Sequence, residues 1–244
     1  MIYVVLGMHK SGTSLAAELL HHAGINMVDN LDEGMTYDEG QKYERRSVQN
    51  LNLDILAARG KLSITIKPLG VAELPEEHQA RMRQIIADCQ SSYEDWGFKH
   101  PTTTLIYPHW AAHLPEHKIV VTFRPISQLW PRYRSLIPPR AMRRAWQLVV
   151  SWCEHNRRIL DYLRDTKMDY VVLNYNKLMA SDEEFARLAC FTGRELVDRR
   201  AKTLYRSRWN FYPLLSLAEW FYRLRKGIGP RDILAQLEAL ANGG

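Results

Sequence analysis

The chain has 244 residues, 46% hydrophobic and 25% charged, and a net charge of +6 from 33 basic and 27 acidic side chains. These proportions exclude a low-complexity or disordered chain. They bound the molecule to one domain, or one domain with an appendage, long enough to bury a real core. The positive excess suits an anionic ligand but is too small to point to a nucleic-acid partner.

Residues 2–6 (IYVVL) are continuously apolar and β-branched, which predicts a fully buried strand. The run is too short for a signal segment, and no later run of about 18 apolar residues follows, so no integral membrane association is expected. The octapeptide GMHKSGTS (Gly7–Ser14) comes next, and residues 13–23 predict a helix stopped by Gly24. A glycine-rich turn between a buried strand and a helix start is a ready site for a phosphate, because the first helical amides are unpaired. The ordinary nucleotide loop reads G-x-x-x-x-G-K-[ST]. Here Gly7, Gly12 and Ser14 fit, Thr13 stands where the lysine belongs, and a lysine arrives early, at Lys10.

An acid-rich stretch, 29–39, contains Asp29, Asp32, Glu33, Asp38 and Glu39. Helix is expected from about Gln41 to Ala58, a strand at 62–66, a helix at 76–94, a short WGFKHP segment, and a helix at 103–114. A strong strand follows at 118–123 (KIVVTF), then a long helix over 139–165, a strand at 169–173 and a capped helix at 181–192 before Gly193. Residues 195–241 read as helical. The expected division is a 1–208 α/β domain with a helical 209–244 extension packed on it. Strands alternating with helices predict a parallel sheet flanked on both sides, a three-layer α/β fold like that of P-loop NTPases. Ligands in such folds sit at the carboxyl ends of the strands. Arg124, Asn174 and Tyr175 directly follow strands, as the loop does.

Three widely spaced cysteines, Cys89, Cys153 and Cys190, form no C-x-x-C, so a zinc site or disulfide framework is not expected. A reducing, cytoplasmic location is the simpler expectation. A magnesium-dependent phosphoryl transfer commonly needs an Asp at the end of a neighbouring strand. The two best strands end instead in Arg124 and Asn174. Lys10, Lys99 and Arg124 are the cations available to neutralise transferred charge, and no metal is expected.

The loop GMHKSGTSLAAELLHHAGI resembles the 5′-phosphosulfate-binding loop of sulfotransferases that use PAPS (3′-phosphoadenosine 5′-phosphosulfate). It is most similar to bacterial members that begin G-M-H-R-S-G-T-S. The resemblance continues at DEGQKYERRSVQNLNLDIL, at WGFKHPTTTLIYPHWAAHLPEHKIVVTFRP and at VVLNYNKLMASDEEFARLACFTG, covering most of residues 1–193. It implies the P-loop fold, PAPS as donor, PAP (3′,5′-adenosine bisphosphate) as product, and a small-molecule or glycan acceptor. Carried over residue by residue, it implies that Lys10, Ser11, Gly12, Thr13 and Ser14 bind the phosphosulfate end, with Lys10 at the bridging oxygen; His9, inside the loop, either contacts the cofactor or the acceptor or simply fills the turn. It implies that Arg124 binds the 3′-phosphate. The serine usual eight residues later is replaced by Arg132, with Ser127 and Ser135 nearby, and the family's residue between Arg and Pro is absent. Arg132 either supplies a charged substitute or lies on a solvated helix face.

Two residues are candidates for the base that takes the acceptor's proton. His100 stands in FKHP, where many bacterial relatives read K-D-P, and otherwise braces the loop before Pro101. Glu44 lies in GQKYERRS, similar to a Gly-aromatic-Glu segment, and otherwise pairs on a helix surface. Lys99 would assist electrostatically or form a plain salt bridge. Arg225, Lys226 and Gly227 resemble an Arg-Lys-Gly that closes over the 3′-phosphate, without the residues expected after it. The aromatic and basic pattern of 209–226 also reads as an amphipathic helix packing on the core by default, or else on a second subunit or a membrane surface. A homodimer stays open. The alternatives to a sulfotransferase are a magnesium-dependent P-loop kinase or NTPase and a nucleotide-binding module without catalysis.

Overall fold

A computed structural model describes residues 1–30, 42–69, 73–202 and 212–243. Most of the acid-rich stretch, including Asp32, Glu33, Asp38 and Glu39, lies outside the described residues, as does the start of the 209–226 pattern.

Four parallel strands form the sheet, in the order β2 (Trp96–Lys99), β1 (Ile2–Leu6), β3 (His117–Phe123) and β4 (Tyr170–Asn174). Every residue of β1 is buried, as its unbroken apolar run requires, because this strand is covered on both faces. Val5 pairs in register with Lys99, Leu6 with Val121, and Phe123 with Asn174, so all four carboxyl ends open on one side. The chain goes from β1 to β2 on one flank and returns to β3 on the other. The crevice at the switch therefore lies over the end of β1.

The side chains of β1 alternate between two cores. Ile2, Val4 and Leu6 join Ile119, Val121 and Phe123 under the long helix α6 (Pro138–Asp165) and the kinked α4 (Thr103–Ala111). Tyr3 and Val5 join Val120, Val171 and Leu173 under α1 (Thr13–His22) and α8 (Asp182–Thr192). Fully burying each such side chain is worth about 1.5–3 kcal/mol. The short α5 (Ile126–Tyr133) follows β3, and α7 (Tyr175–Ala180) follows β4, opened by Asn174, whose side chain accepts from the Asn176 amide at 2.9 Å. Helices α9 (Pro213–Lys226) and α10 (Pro230–Asn242) place Leu215, Tyr222, Ile233 and Leu237 in the α6 core. No helix among the described residues is long and apolar enough to cross a membrane.

Several local expectations are corrected. Residues 62–66 are not a strand. Ser63–Thr65 form a 3-10 turn, because Ile64 and Ile66 anchor in the core and the Ser63 hydroxyl meets Tyr133 Oη at 3.0 Å. The helix expected from Gln41 begins only at Arg46 as α2 (Arg46–Ile55), since Tyr43 takes a positive φ of 55° that no helix tolerates. Helix α3 (Glu76–Ser92) stands as expected. Residues 195–201 are not helical. The buried Arg200 guanidinium donates there to the carbonyls of Leu178 and Ser181 and pairs with Asp182 and Asp198. Gly227, at φ 72°, separates α9 from α10.

Candidate active site

Gly7 leaves β1 with a backbone that no other residue could occupy. A Cβ there would lie 2.5 Å from the Thr122 carbonyl oxygen and 2.7 Å from Ser11 Oγ. The Gly7 amide donates to Thr104 Oγ1 at 3.0 Å, tying the loop to the first turn of α4. Ser11 Oγ donates to the Met8 carbonyl at 2.7 Å and so closes the turn. Lys10 is exposed and sits at φ 68°, a left-handed conformation that costs a non-glycine residue about 1–2 kcal/mol. Strain of this kind persists where the surroundings impose it, often at functional sites. Gly12, at φ 101°, caps α1 without any side-chain hydrogen bond, and the first turn of α1 carries no acid. The opening amides of α1 therefore face the crevice ready for an anion.

Beside the loop, Lys99 at the end of β2 is fully buried. Its ammonium donates to Glu44 Oε1 at 2.6 Å, to Ser14 Oγ at 3.0 Å and to the Lys42 carbonyl at 3.2 Å, which uses all three of its hydrogens. Burial pushes its pKa down, against the pull of Glu44, and the charge of Lys10 adds to that push. His100 follows, buried, with Nδ1 2.5 Å from Thr102 Oγ1 and Nε2 3.7 Å from Glu44 Oε2. Its pKa falls to about 3, chiefly by burial and secondly by Lys99. The His9 ring stands edge-on to His100, 6.0 Å between centroids, and its buried Nδ1 has no partner among the described residues. Burial lowers its pKa well below 6.5, with His100 and His155 adding to the effect.

Arg124, directly after β3, lies over the Tyr175 ring with its Cζ 4.8 Å from the centroid, and its Nε donates to Gln128 Oε1 at 2.9 Å. Trp152 of α6 donates to the Arg124 carbonyl at 3.0 Å and holds the turn. Tyr175 also covers Gly12, where a Cβ would lie 2.1 Å from its Cδ2. Arg132, exposed in the last turn of α5, acts with Arg124 to lower the Tyr175 pKa, against the larger raising effect of burial. One ring thus joins the loop to the arginine pair.

The structure brings His9–Ser14, Glu44, Lys99 and His100 into one cluster, and joins Arg124 and Arg132 to it through Tyr175. Ser127 is half-buried on α5. Ser135 lies beyond that helix, its Oγ accepting from the Ile137 amide. Arg225 stacks instead on Trp146 of α6 at 5.6 Å, and Gly227 serves as a helix C-cap. Among the described residues no group of three His, Cys, Asp or Glu side chains is placed to hold a metal. A cleft of about 890 Å³ lined by Met1, His117, Lys118 and Asp169 opens at the opposite, amino-terminal end of the strands, away from the loop.

Sequence reasoning missed Thr104, Trp152 and His155. Thr104 at least stood in the legible run of threonines after FKHP, whereas nothing in the sequence marks the other two. The His155 Nδ1 donates to the Ser151 carbonyl at 2.7 Å, which leaves Nε2 an acceptor, buried and without a partner among the described residues. Burial lowers its pKa to about 4.

The sequence model of the Sulfotransferase family matches residues 3–197. The chain belongs to the sulfotransferase family. Among solved structures, this sulfotransferase is similar to the sulfotransferase domain from the Synechococcus PCC 7002 olefin synthase, at 17% identity and a TM-score of 0.53, covering 98% of this chain and 94% of that one. That likeness agrees with the parallel α/β sheet described above. It also matches sulfotransferase STF1 from Mycobacterium tuberculosis H37Rv at 16% identity, covering 93% of this chain and 76% of that one, with a TM-score of 0.40. No curated protein matches the sequence.

Proposed function

We propose that this sulfotransferase uses PAPS as donor, releases PAP, and sulfates a hydroxyl of a small metabolite or glycan. The observation that carries the reading is the Lys99 ammonium bridging Glu44 and Ser14 of the loop. A carboxylate close to the loop hydroxyl is what a kinase would need for magnesium. Here a protein cation already stands between the two, which favours metal-independent transfer over the kinase reading.

The residues fit a bisphosphorylated donor. The uncapped amides of α1, the strained turn at Lys10 and the crowding that only Gly7 and Gly12 permit make a cradle for one phosphate group. Arg124 and Arg132, across the Tyr175 ring, supply charge for a second, at 3′. When bound, PAPS supplies an activated sulfuryl group whose departure leaves negative charge on its 5′-phosphate. Lys10 and the loop amides stabilise that charge, and Lys99 adds a buried cation beside them.

Glu44 suits the role of base better than His100. With the His100 Nε2 proton facing the Glu44 carboxylate, Nδ1 accepts from the Thr102 hydroxyl, and the ring has no lone pair left for an acceptor. The opposite tautomer would set a lone pair against a carboxylate. Lys99 fixes Glu44 through Oε1 and leaves Oε2 to take the proton of an acceptor hydroxyl. His100 then orients Glu44.

Calorimetric titration with PAP, AMP and magnesium–ATP tests the donor assignment. PAP is expected to bind without metal and more tightly than AMP, and Arg124→Ala should erase that preference while Lys10→Ala weakens both ligands. Equal affinity of the unmodified protein for PAP and AMP would overturn the 3′-phosphate assignment. Binding of PAP with no transfer to any acceptor would favour a non-catalytic nucleotide module.

A further inference from the structure

Helix α9 buries Leu215, Ala218 and Tyr222 against the α6 core, yet carries a second apolar face that stays open. Leu217 is 41% exposed, Phe221 46%, Trp220 55% and Leu224 65%, with Leu214 at the start of the same line. At roughly 100° per residue these side chains fall within about 120° of arc. On that wheel Arg225 borders the arc on one side and Arg223 on the other, and both are exposed. Phe221 also closes a groove of about 360 Å³ with Met142, Trp146 and Arg225.

The charges around this face are unbalanced. Arg223, Arg225 and Lys226 close the helix and Arg231 follows, whereas Glu219, partly buried, is the one acid on α9. Asp232, 3.5 Å from Arg223, offsets a single cation. A second copy docking through the same face would set these cations against their own kind, which opposes a two-fold contact. The arc is convex, with aromatic and leucine side chains at its crest and long basic side chains at its borders. That is the profile of a helix lying in the plane of an anionic interface, where arginine and lysine stems reach past the apolar layer to phosphate headgroups.

We propose that the outer face of α9 docks this enzyme reversibly on an anionic lipid surface, with Trp220, Phe221 and Leu224 entering the acyl boundary and Arg223 and Arg225 meeting headgroup phosphates. This docking is independent of the donor and of the base.

Cosedimentation of the full chain with vesicles tests it. Vesicles of phosphatidylcholine alone are expected to leave the protein in solution, and vesicles containing phosphatidylglycerol to carry it down, less so as salt is raised. The double variants Trp220→Ser with Leu224→Ser, and Arg223→Gln with Arg225→Gln, should each weaken that binding by about tenfold or more. All four side chains are exposed, so circular dichroism and thermal melting should match the unmodified chain. Failure to sediment with anionic vesicles, or undiminished binding by both double variants, overturns the proposal. So does a dimer in analytical ultracentrifugation that the Trp220→Ser, Leu224→Ser variant converts to monomer, which would make the face a contact between copies.

Discussion

Replacing His155 with glutamine should flatten the acid side of the stability profile. The ring is buried on α6, its Nδ1 bound to the Ser151 carbonyl and its Nε2 without a partner among the described residues, and its pKa falls from the usual 6.5 to about 4 because burial disfavours the charged form. Above pH 6.5 both folded and unfolded chains hold the ring neutral, and the residue adds no pH dependence. Between 6.5 and 4 the unfolded chain binds a proton that the folded chain refuses, so stability falls with pH. Below 4 both forms are charged and the loss stops growing. From pH 7 to pH 5 the linkage amounts to about 2 kcal/mol for this one group. His100, with its pKa near 3, should add a similar loss in the same interval. Urea denaturation at half-unit steps from pH 7 to 5 measures the slope. His155→Gln should lose less stability than the unmodified chain over that range, by about 2 kcal/mol, whatever its stability at pH 7. Parallel profiles for the two proteins would refute the claim that His155 is held neutral.

Glu44→Gln keeps an oxygen for the Lys99 ammonium but removes the base, so kcat should fall on the order of 10²–10⁴-fold with PAP affinity nearly unchanged, and a loss under about tenfold in steady-state assays would remove Glu44 from that role. Lys99→Ala leaves a carboxylate buried without its cation and should cost about 3–5 kcal/mol in urea unfolding. Adding Glu44→Gln to it should recover part of that loss, and additive losses would argue that the pair is not coupled. Gly12→Ala meets both a left-handed backbone and the Tyr175 ring, and should destabilise the protein by about 2–5 kcal/mol. Tyr175→Ala should relieve the steric share in a double-mutant cycle, and an undiminished effect would place the strain in the backbone alone.

What the sequence disclosed was local. The unbroken apolar run of β1, the glycine spacing at Gly7 and Gly12, and the placing of Arg124 and Tyr175 after strands are all written within a few residues, and the sheet follows from them. Lys99 and Glu44 were visible as candidates, but not as partners, because their contact spans a long stretch of chain that carries no periodic signal. The pairings made by Thr104 and Trp152 were invisible for the same reason. Each satisfies a backbone group of a remote turn, at Gly7 and at Arg124, and such pairings arise only once the layers are stacked. The strand expected at 62–66 failed because alternation of apolar residues also suits a segment pinned at Ile64 and Ile66 without any sheet edge to join. The late start of α2 rests on one backbone angle, at Tyr43, which composition does not reveal.

The ring of Tyr175 rests on the hydrogen-only face of Gly12 while the Arg124 guanidinium lies above it. The three positions share that one ring as a common contact. Through it, inheritance acts on the trio as one character. A lineage that gains any side chain at position 12 must first surrender the aromatic ring, and surrendering the ring leaves the arginine without its platform. Drift at the loop and drift at the arginine are therefore locked in step, although the two positions stand far apart in the gene.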